Sequence, residues 1–336
     1  MNVKKSKHVK HNMYAKWGYI FIAPFFIVFA LFTLVPLFST FYYSFFEYYR
    51  DLNRWIGPNF IGFANYIKIF NDARFFSYLG NTAVIWIIGF VPQISISLLL
   101  AIWFTDIRLK IKGMRFWKTI IYMPNLVMAS AFGMLFLQLF GANGPILELL
   151  FSIKAIPERF TIDQSVWGTR AVIAFINFLM WFGNTTLLLM AGVMGIDGEV
   201  YEAAKVDGSG SIRTFFQITM PLLMPIFIYV FITSMIGGIQ LFDVAHIFTA
   251  QSGRPNDTAM TMMMWLNRFI SRSRNYGMSG ALSTILFIIT LILSSMVFRH
   301  LLPKAKSDSK RAKKRIEKLG RKYVVTKKVV EVEQND

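Results

Sequence analysis

The sequence predicts an all-α membrane protein built on six transmembrane helices, and three observations predict it. Of the 336 residues, 55% are hydrophobic and only 16% charged, whereas an average soluble domain carries about 25% charged residues. The apolar excess is also clustered. Six windows hold no Asp, Glu, Lys or Arg: Trp17–Phe46, Phe75–Thr105, Thr119–Leu147, Ala171–Ile196, Thr214–Phe242 and Asn275–Phe298. Each exceeds the roughly 20 residues a helix needs to cross a hydrocarbon layer about 30 Å thick. Finally, nothing alternates in the ~10-residue apolar segments of a membrane β-barrel.

The first window follows a basic segment, Met1–Lys16, expected to lie in the cytoplasm. It is too long for the apolar core of a secretory signal (about 7–15 residues), and no small-residue cleavage pattern follows it. It is therefore expected to stay as an uncleaved first helix. Tyr42, Tyr43, Tyr48, Tyr49 and Trp55 gather beyond its outer end, and Trp103 and Trp117 flank the inner side, as interfacial aromatic belts do. Gly237-Gly238 is expected to interrupt the fifth helix. After the sixth, residues 303–336 form a basic tail, read as a solvated cytoplasmic segment with some attraction for anionic membrane lipid. The six-helix core thus spans 17–302.

Orientation follows from the basic residues. With the N-terminus inside, the cytoplasmic segments collect 25 of the 36 Lys and Arg, and the outer loops the remainder. This bias toward the inner face places both termini in the cytoplasm of a multi-pass cell-membrane protein. The net charge of +18 is accordingly a topology signal, and no nucleic acid is expected as a partner. The chain has no cysteine, which excludes disulfides and thiolate metal sites. His8, His11, His246 and His300 are too scattered for a metal cluster, and no phosphate-binding loop or Ser/His/Asp set is present. The chain is therefore not expected to be an enzyme.

The most informative segment joins the fourth and fifth helices, from Gly195 to Pro221. Asp197 suits the cap of a short helix, with Glu199 and Glu202 near its positive end. Asp207-Gly208-Ser209-Gly210 suits its termination. Ser211 is expected to cap a second short helix that stops or bends before Pro221. Val200, Ala203, Ala204 and Val206 recur at helical spacing, which predicts a small, flat, Ala-lined face.

In this loop Glu202, Ala203, Ala204, Gly208, Ile218 and Pro221 follow the pattern Glu-Ala-Ala, three residues, Gly, nine residues, Ile-x-Leu-Pro, with Met220 at the usual Leu. The segment resembles the signature loop of binding-protein-dependent ABC importer permeases, a six-helix bundle with a cytoplasmic coupling helix. Softer similarities to the sugar-transporting branch, the maltose and glycerol-3-phosphate type, run from about Trp17 to Leu302. They include Phe60-Ile61-Gly62-Phe63-Ala64-Asn65-Tyr66 and Phe242-Asp243. The resemblance implies that the loop docks into a cleft on a separate ATPase dimer, which would bind ATP and Mg, leaving this chain without a cofactor. Ala203 and Ala204 would allow close approach, Glu202 would pair with a polar or basic group, and Gly208 would permit the turn. It further implies a homologous second permease, an extracellular substrate-binding protein and a carbohydrate substrate. Glycerol 3-phosphate or another small polar solute is the alternative, and a secondary transporter a more distant one.

Polar side chains inside apolar windows face the protein interior or a cavity. Asn81, Gln93, Asn177 and Asn184 read first as hydrogen-bonders between helices, Asn184 being carried also as a pathway candidate. Gln240, Asp243 and His246, three residues apart, are expected to share one face, and Gln240 and Asp243 to line the substrate pathway.

Overall fold

The computed structural model describes residues 15–52, 54–106, 109, 111–141, 144–156 and 161–301. The basic tail, and the N-terminal segment up to residue 14, lie outside the described residues. Helix formation follows from the apolar windows: inside a bilayer the backbone must satisfy its own hydrogen bonds. Among the described residues, six helical runs are long and apolar enough to cross a membrane: Trp17–Tyr43, Arg74–Thr105, Ala129–Ser152, Val166–Met194, Ser211–Phe248 and Tyr276–Leu301. The chain divides into two units, residues 1–71 with 268–285 and residues 72–267 with 286–336.

In the first unit, α1 (Ala15–Phe29) passes through a π turn over Ala30–Leu34 into α2 (Val35–Tyr43). Pro36 explains the turn. It has no N–H to give and its ring crowds the preceding carbonyl, and widening the preceding helical turn relieves both. A departure from the all-α expectation follows. β1 (Phe46–Asp51) and β2 (Arg54–Phe60) form an antiparallel hairpin in which Arg50 faces Trp55 and Asp51 faces Arg54. Tyr48, Tyr49, Trp55 and Ile56 are strand formers that outweigh helix continuation once the chain leaves the apolar window. α3 (Ala64–Phe70) follows, and its Asn65 Nδ2 donates to the carbonyls of Ser44 and Phe46, 3.0 Å each.

The second unit is organised around two long helices, α4 (Arg74–Thr105) and α8 (Val166–Met194). They meet closely at Gly89, where a Cβ would come within 2.9 Å of the Ala174 carbonyl oxygen. Gln93 Nε2 donates to Thr185 Oγ1 (2.8 Å) and Ser97 Oγ to the Phe182 carbonyl (2.8 Å). In an apolar surrounding such bonds fix register between helices, which is the role the sequence assigns Gln93. Between them lie α5 (Met114–Tyr122), α6 (Ala129–Phe140) and α7 (Pro145–Ser152). The third apolar window is therefore not one helix from Thr119. Pro124 cannot donate, a 3-10 turn over Met123–Leu126 intervenes, and the membrane-length run starts at Ala129.

After α8 come α9 (Gly198–Val206), α10 (Ser211–Thr214), a π turn over Phe215–Thr219, and α11 (Met220–Ile239). α12 (Asp243–Phe248) and α13 (Met262–Ser271) complete the order before α14 (Tyr276–Leu301). One apolar core joins Ala101 and Phe104 of α4, Leu189, Met190 and Val193 of α8, and Leu223 and Val230 of α11. It places the loop after α8 on a rigid base.

Candidate functional site

The signature loop is held together by its own motif. Asp197 caps α9 as its carboxylate accepts from Glu199 N at 3.1 Å. α9 then ends at Gly208, whose φ of +69 lies in the left-handed region that glycine enters at no steric cost. Val200, Ala204 and Ile218 are buried in a common cluster, with Ile196 and Leu222 against it. The spacing of the motif thus has a local meaning: Ala204 is small because Ile218 lies over it. Two expectations change as a result. Ala204 faces the loop's interior, so only Ala203, half-buried, is left to admit a close partner. Val206, expected on the same Ala-lined face, is instead 65% exposed, because two residues past Ala204 carry it about 200° round the helix, away from the cluster.

The second helix also differs from expectation. Gly210, not Ser211, occupies its cap position and no side chain caps it. Nor does it stop before Pro221. The helix continues, and the π turn over Phe215–Thr219 absorbs the missing N–H of Pro221, half-buried in the first turn of α11. Ser209 Oγ accepts from Thr214 Oγ1 (3.1 Å) and stiffens the turn. Tyr201 OH lies 3.4 Å from Thr219 Oγ1, and burial pushes the Tyr201 phenol above its ordinary value, with the Thr219 contact opposing.

What this packing leaves outside is the candidate surface. Glu202 is exposed, Ile212 is 77% exposed and Phe216 66%. A groove of about 560 Å³ runs along Gly210, Ser211, Ile212, Arg213, Phe216 and Gln217. Ile212 and Phe216 were missed in the sequence, where they look like ordinary helix residues. Their signal is apolarity on a loop that the topology puts in water.

The fifth span breaks at Gln240–Phe242, just past Gly237-Gly238, because α11 runs through both glycines to Ile239. Gly238 is needed for a different reason: a Cβ there would collide with the Trp86 indole, whose Nε1 donates to Ser234 Oγ at 3.2 Å. The break is supported by buried Thr261, whose Oγ1 donates to the Leu241 carbonyl at 2.8 Å. Gln240 and Asp243 are exposed at the break. The three-residue spacing does not carry one face across it, so Gln240 separates from the pair Asp243 and His246 on α12. The His246 ring stacks on Phe242 at 4.6 Å. Asn184 is half-buried on α8, apart from this group.

A polar network not foreseen in the sequence fixes the segment between α12 and α13. Arg170 Nη2 donates to Asn81 Oδ1 (2.6 Å) and Arg170 Nε to the Thr258 carbonyl (3.0 Å). Asn81 Nδ2 donates to the carbonyls of Asp257 (2.9 Å) and Met260 (3.3 Å), and the Tyr78 hydroxyl donates to the Asp257 carboxylate (2.9 Å). Arg170 also sits 5.3 Å from the Trp167 ring centre. Asn81 is thus a link between helices and loop, as its reading as a hydrogen-bonder requires.

Six membrane-length helices and a self-packed Glu-Ala-Ala loop define a membrane-embedded transport subunit. Residues 93–307 match the family described as binding-protein-dependent transport system inner membrane component, and the chain belongs to that family. It is similar to the lactose transport system permease protein of Rhizobium radiobacter, 27% identical over 84% of this chain and 92% of that one. The multiple sugar-binding transport system permease protein of Streptococcus mutans is 29% identical over 83% and 92%. The arabinooligosaccharides transport system permease protein of Bacillus subtilis is 29% identical over 82% and 85%. A chain of a bacterial ABC transporter involved in the import of the acidic polysaccharide alginate has the same fold, with TM-score 0.66, 19% identity, and coverage of 85% of this chain and 96% of that one. A second structure of a bacterial alginate transporter, in complex with an alginate pentasaccharide-bound periplasmic protein, aligns with TM-score 0.69 at 16% identity.

Proposed function

We propose that this chain is the permease subunit of an ATP-driven importer of carbohydrates, forming half of the translocation pathway. The observation that carries the coupling role is the folded signature loop. Its motif residues Ala204 and Ile218 are consumed internally, and it presents Glu202, Ile212 and Phe216 outward beside a groove. A rigid, partly apolar protrusion of this kind suits insertion into a partner's cleft. In this reading the cleft belongs to an ATPase dimer that binds ATP and Mg, and ATPase closure pushes the loop and rocks the helices. A second, homologous permease completes the pathway, and an extracellular binding protein delivers the sugar. The sugar-import names of several relatives support the substrate class. Both termini lie in the cytoplasm, which supports the loop's access to the ATPase.

The test is ATP hydrolysis by the reconstituted complex, with and without sugar-loaded binding protein, for the wild type, Glu202→Ala and the pair Ile212→Asp with Phe216→Asp. Because Ile212 and Phe216 are exposed, the paired change is expected to leave insertion intact. Loss of the docking contact should lower stimulated hydrolysis at least about tenfold, the equivalent of ~1.4 kcal/mol. Full stimulation in the paired variant would remove the coupling role from this surface.

A further inference from the structure

Four aromatic rings of the first unit converge from three separate segments of chain. Tyr43 comes from the end of α2, Tyr48 and Trp55 from the two strands of the hairpin, and Tyr276 from the start of α14. Their centroids lie 5.3 Å (Tyr43–Tyr48), 5.5 Å (Tyr48–Trp55), 5.4 Å (Tyr48–Tyr276) and 5.7 Å (Trp55–Tyr276) apart. The Tyr48, Trp55 and Tyr276 planes are within 34° of one another. Three near-equal separations cannot come from a single stacked column, whose outer members would be twice as far apart. The rings form instead a shingled patch, and with Tyr43 they line a concavity of about 380 Å³, within the range of small-molecule sites (roughly 300–1,000 Å³). The patch is open: Trp55 is 48% and Tyr276 38% exposed.

A donor stands at its edge. Arg50 is two residues beyond Tyr48 and directly across from Trp55, so the three share a face of the hairpin. Its guanidinium lies 5.8 Å from the Trp55 ring centre. Its Nε is buried and meets no acceptor among the described residues. A buried unpaired N–H is a cost that an incoming oxygen would remove.

The surrounding structure holds these groups in place before any ligand arrives. Arg50 N donates to the Arg274 carbonyl (3.3 Å), which ties β1 to the chain just ahead of Tyr276. Asn65 clamps the start of the hairpin through Ser44 and Phe46. At Gly277 a Cβ would run into the Phe46 carbonyl, so glycine there is what lets Tyr276 reach the hairpin. Preorganised rings lose little freedom when they bind.

Aromatic belts place their rings side by side around a helix rim, each reaching the headgroups separately. Convergence into a concave patch, with a guanidinium at its edge whose Nε meets no acceptor among the described residues, answers a different need. A pyranose ring presents a face of C–H groups to an aromatic surface, and its equatorial hydroxyls project sideways to donors and acceptors such as a guanidinium and phenols. We infer that Tyr43, Tyr48, Trp55 and Tyr276 with Arg50 form an outer carbohydrate subsite that holds one pyranose residue of the substrate before it enters the pathway. This rests on the reading of the chain as a carbohydrate importer.

The experiment uses the full chain in lipid nanodiscs and the reconstituted complex in vesicles, as wild type, Trp55→Phe, Trp55→Ala and Tyr276→Ala. Maltotriose, arabinotriose and a mannuronate trisaccharide are titrated while ligand saturation-transfer NMR and tryptophan fluorescence are read. At least one trisaccharide should bind the wild type saturably, bind Trp55→Phe with similar strength, and bind each alanine variant about tenfold more weakly. In vesicles the same alanine variants should raise the KM for uptake and leave kcat unchanged. Alanine variants that shift thermal unfolding while sugar binding and KM stay at wild-type values would identify a membrane belt and overturn the subsite, with the importer reading intact. If no sugar-loaded binding protein stimulates hydrolysis by the wild-type complex, the importer reading fails and the subsite falls with it.

Discussion

At Gly208 the side chain that is missing matters only through the backbone. Nothing lies within 4 Å of where a Cβ would project, yet φ is +69. An L residue pays roughly 1–2 kcal/mol to enter this region, and Asn pays less than most. Gly208→Ala is therefore expected to impair stimulated ATP hydrolysis and Gly208→Asn to retain most of it, although Asn is the larger side chain. The reverse order would show that space, not conformation, fixes glycine here. Gly89 is the opposite case. Its helical backbone suits any residue, but an added methyl meets the Ala174 carbonyl at 2.9 Å, and neither backbone can yield without moving α4 from α8. Gly89→Ala should destabilise by about 1–3 kcal/mol. Gly237→Ala, with open space around it, should not. Thermal unfolding in a common detergent separates the two.

Among the elements, the long helices α4 and α8 carry both the inner core and the outer polar network, so the segment between α12 and α13 is held by them. Asn81 is the member with the most partners: it accepts from Arg170 and donates to two carbonyls of that segment. Asn81→Leu strands a guanidinium N–H and two carbonyls, and each buried group left unpaired costs about 1–3 kcal/mol. Amide exchange over residues 257–262 is expected to quicken in this variant. Asn177→Leu, which removes a half-buried amide on the solvent-poor middle of α8, serves as control and should leave that exchange unchanged. Identical exchange in both variants would mean the network does not hold the segment. These elements also show how far the sequence could be read. Six uncharged windows locate the membrane helices because length and apolarity act locally along the chain. Asp197 and Gly208 announce a capped, glycine-ended helix for the same reason. The hairpin Phe46–Phe60 hid beside an aromatic-rich helix end, where strand formers and belt residues are the same amino acids. The role of Arg170 could not be read from the sequence because its partners Asn81 and Thr258 are distant along the chain. The inward turn of Ala204 depends on Ile218, fourteen positions on, and only folding brings them together.

At the scale of the whole molecule, the proposed mechanism depends on sidedness. The proposed topology takes the six candidate spans as crossings and the concentration of Lys and Arg as the mark of the cytoplasmic face. In that topology the signature loop is expected inside and the aromatic hairpin outside, as an ATPase partner and an incoming sugar would each require. The chain has no cysteine, so a single thiol can be introduced without first removing any other. Ser209→Cys places it in the signature loop and Asn59→Cys on exposed β2. In right-side-out vesicles a membrane-impermeant maleimide should label Asn59→Cys and spare Ser209→Cys until detergent is added, and inverted vesicles should exchange the two. The loss of one span, for instance at the broken third run Ala129–Ser152, would put both thiols on the same face. Labelling of both from one side would therefore identify an even number of crossings between them, or their absence, and would remove the loop from the reach of a cytoplasmic ATPase. Labelling in the expected opposition requires an odd number of crossings from Asn59 to Ser209, and the second, third and fourth spans supply three. Parity also tests the third run. Treating α6 and α7 as separate crossings would make four and return Ser209 to the outer face, so the labelling experiment decides at once between a single kinked span and two short ones. A single span is expected, because α7 with eight residues is far shorter than the about 20 a crossing helix needs.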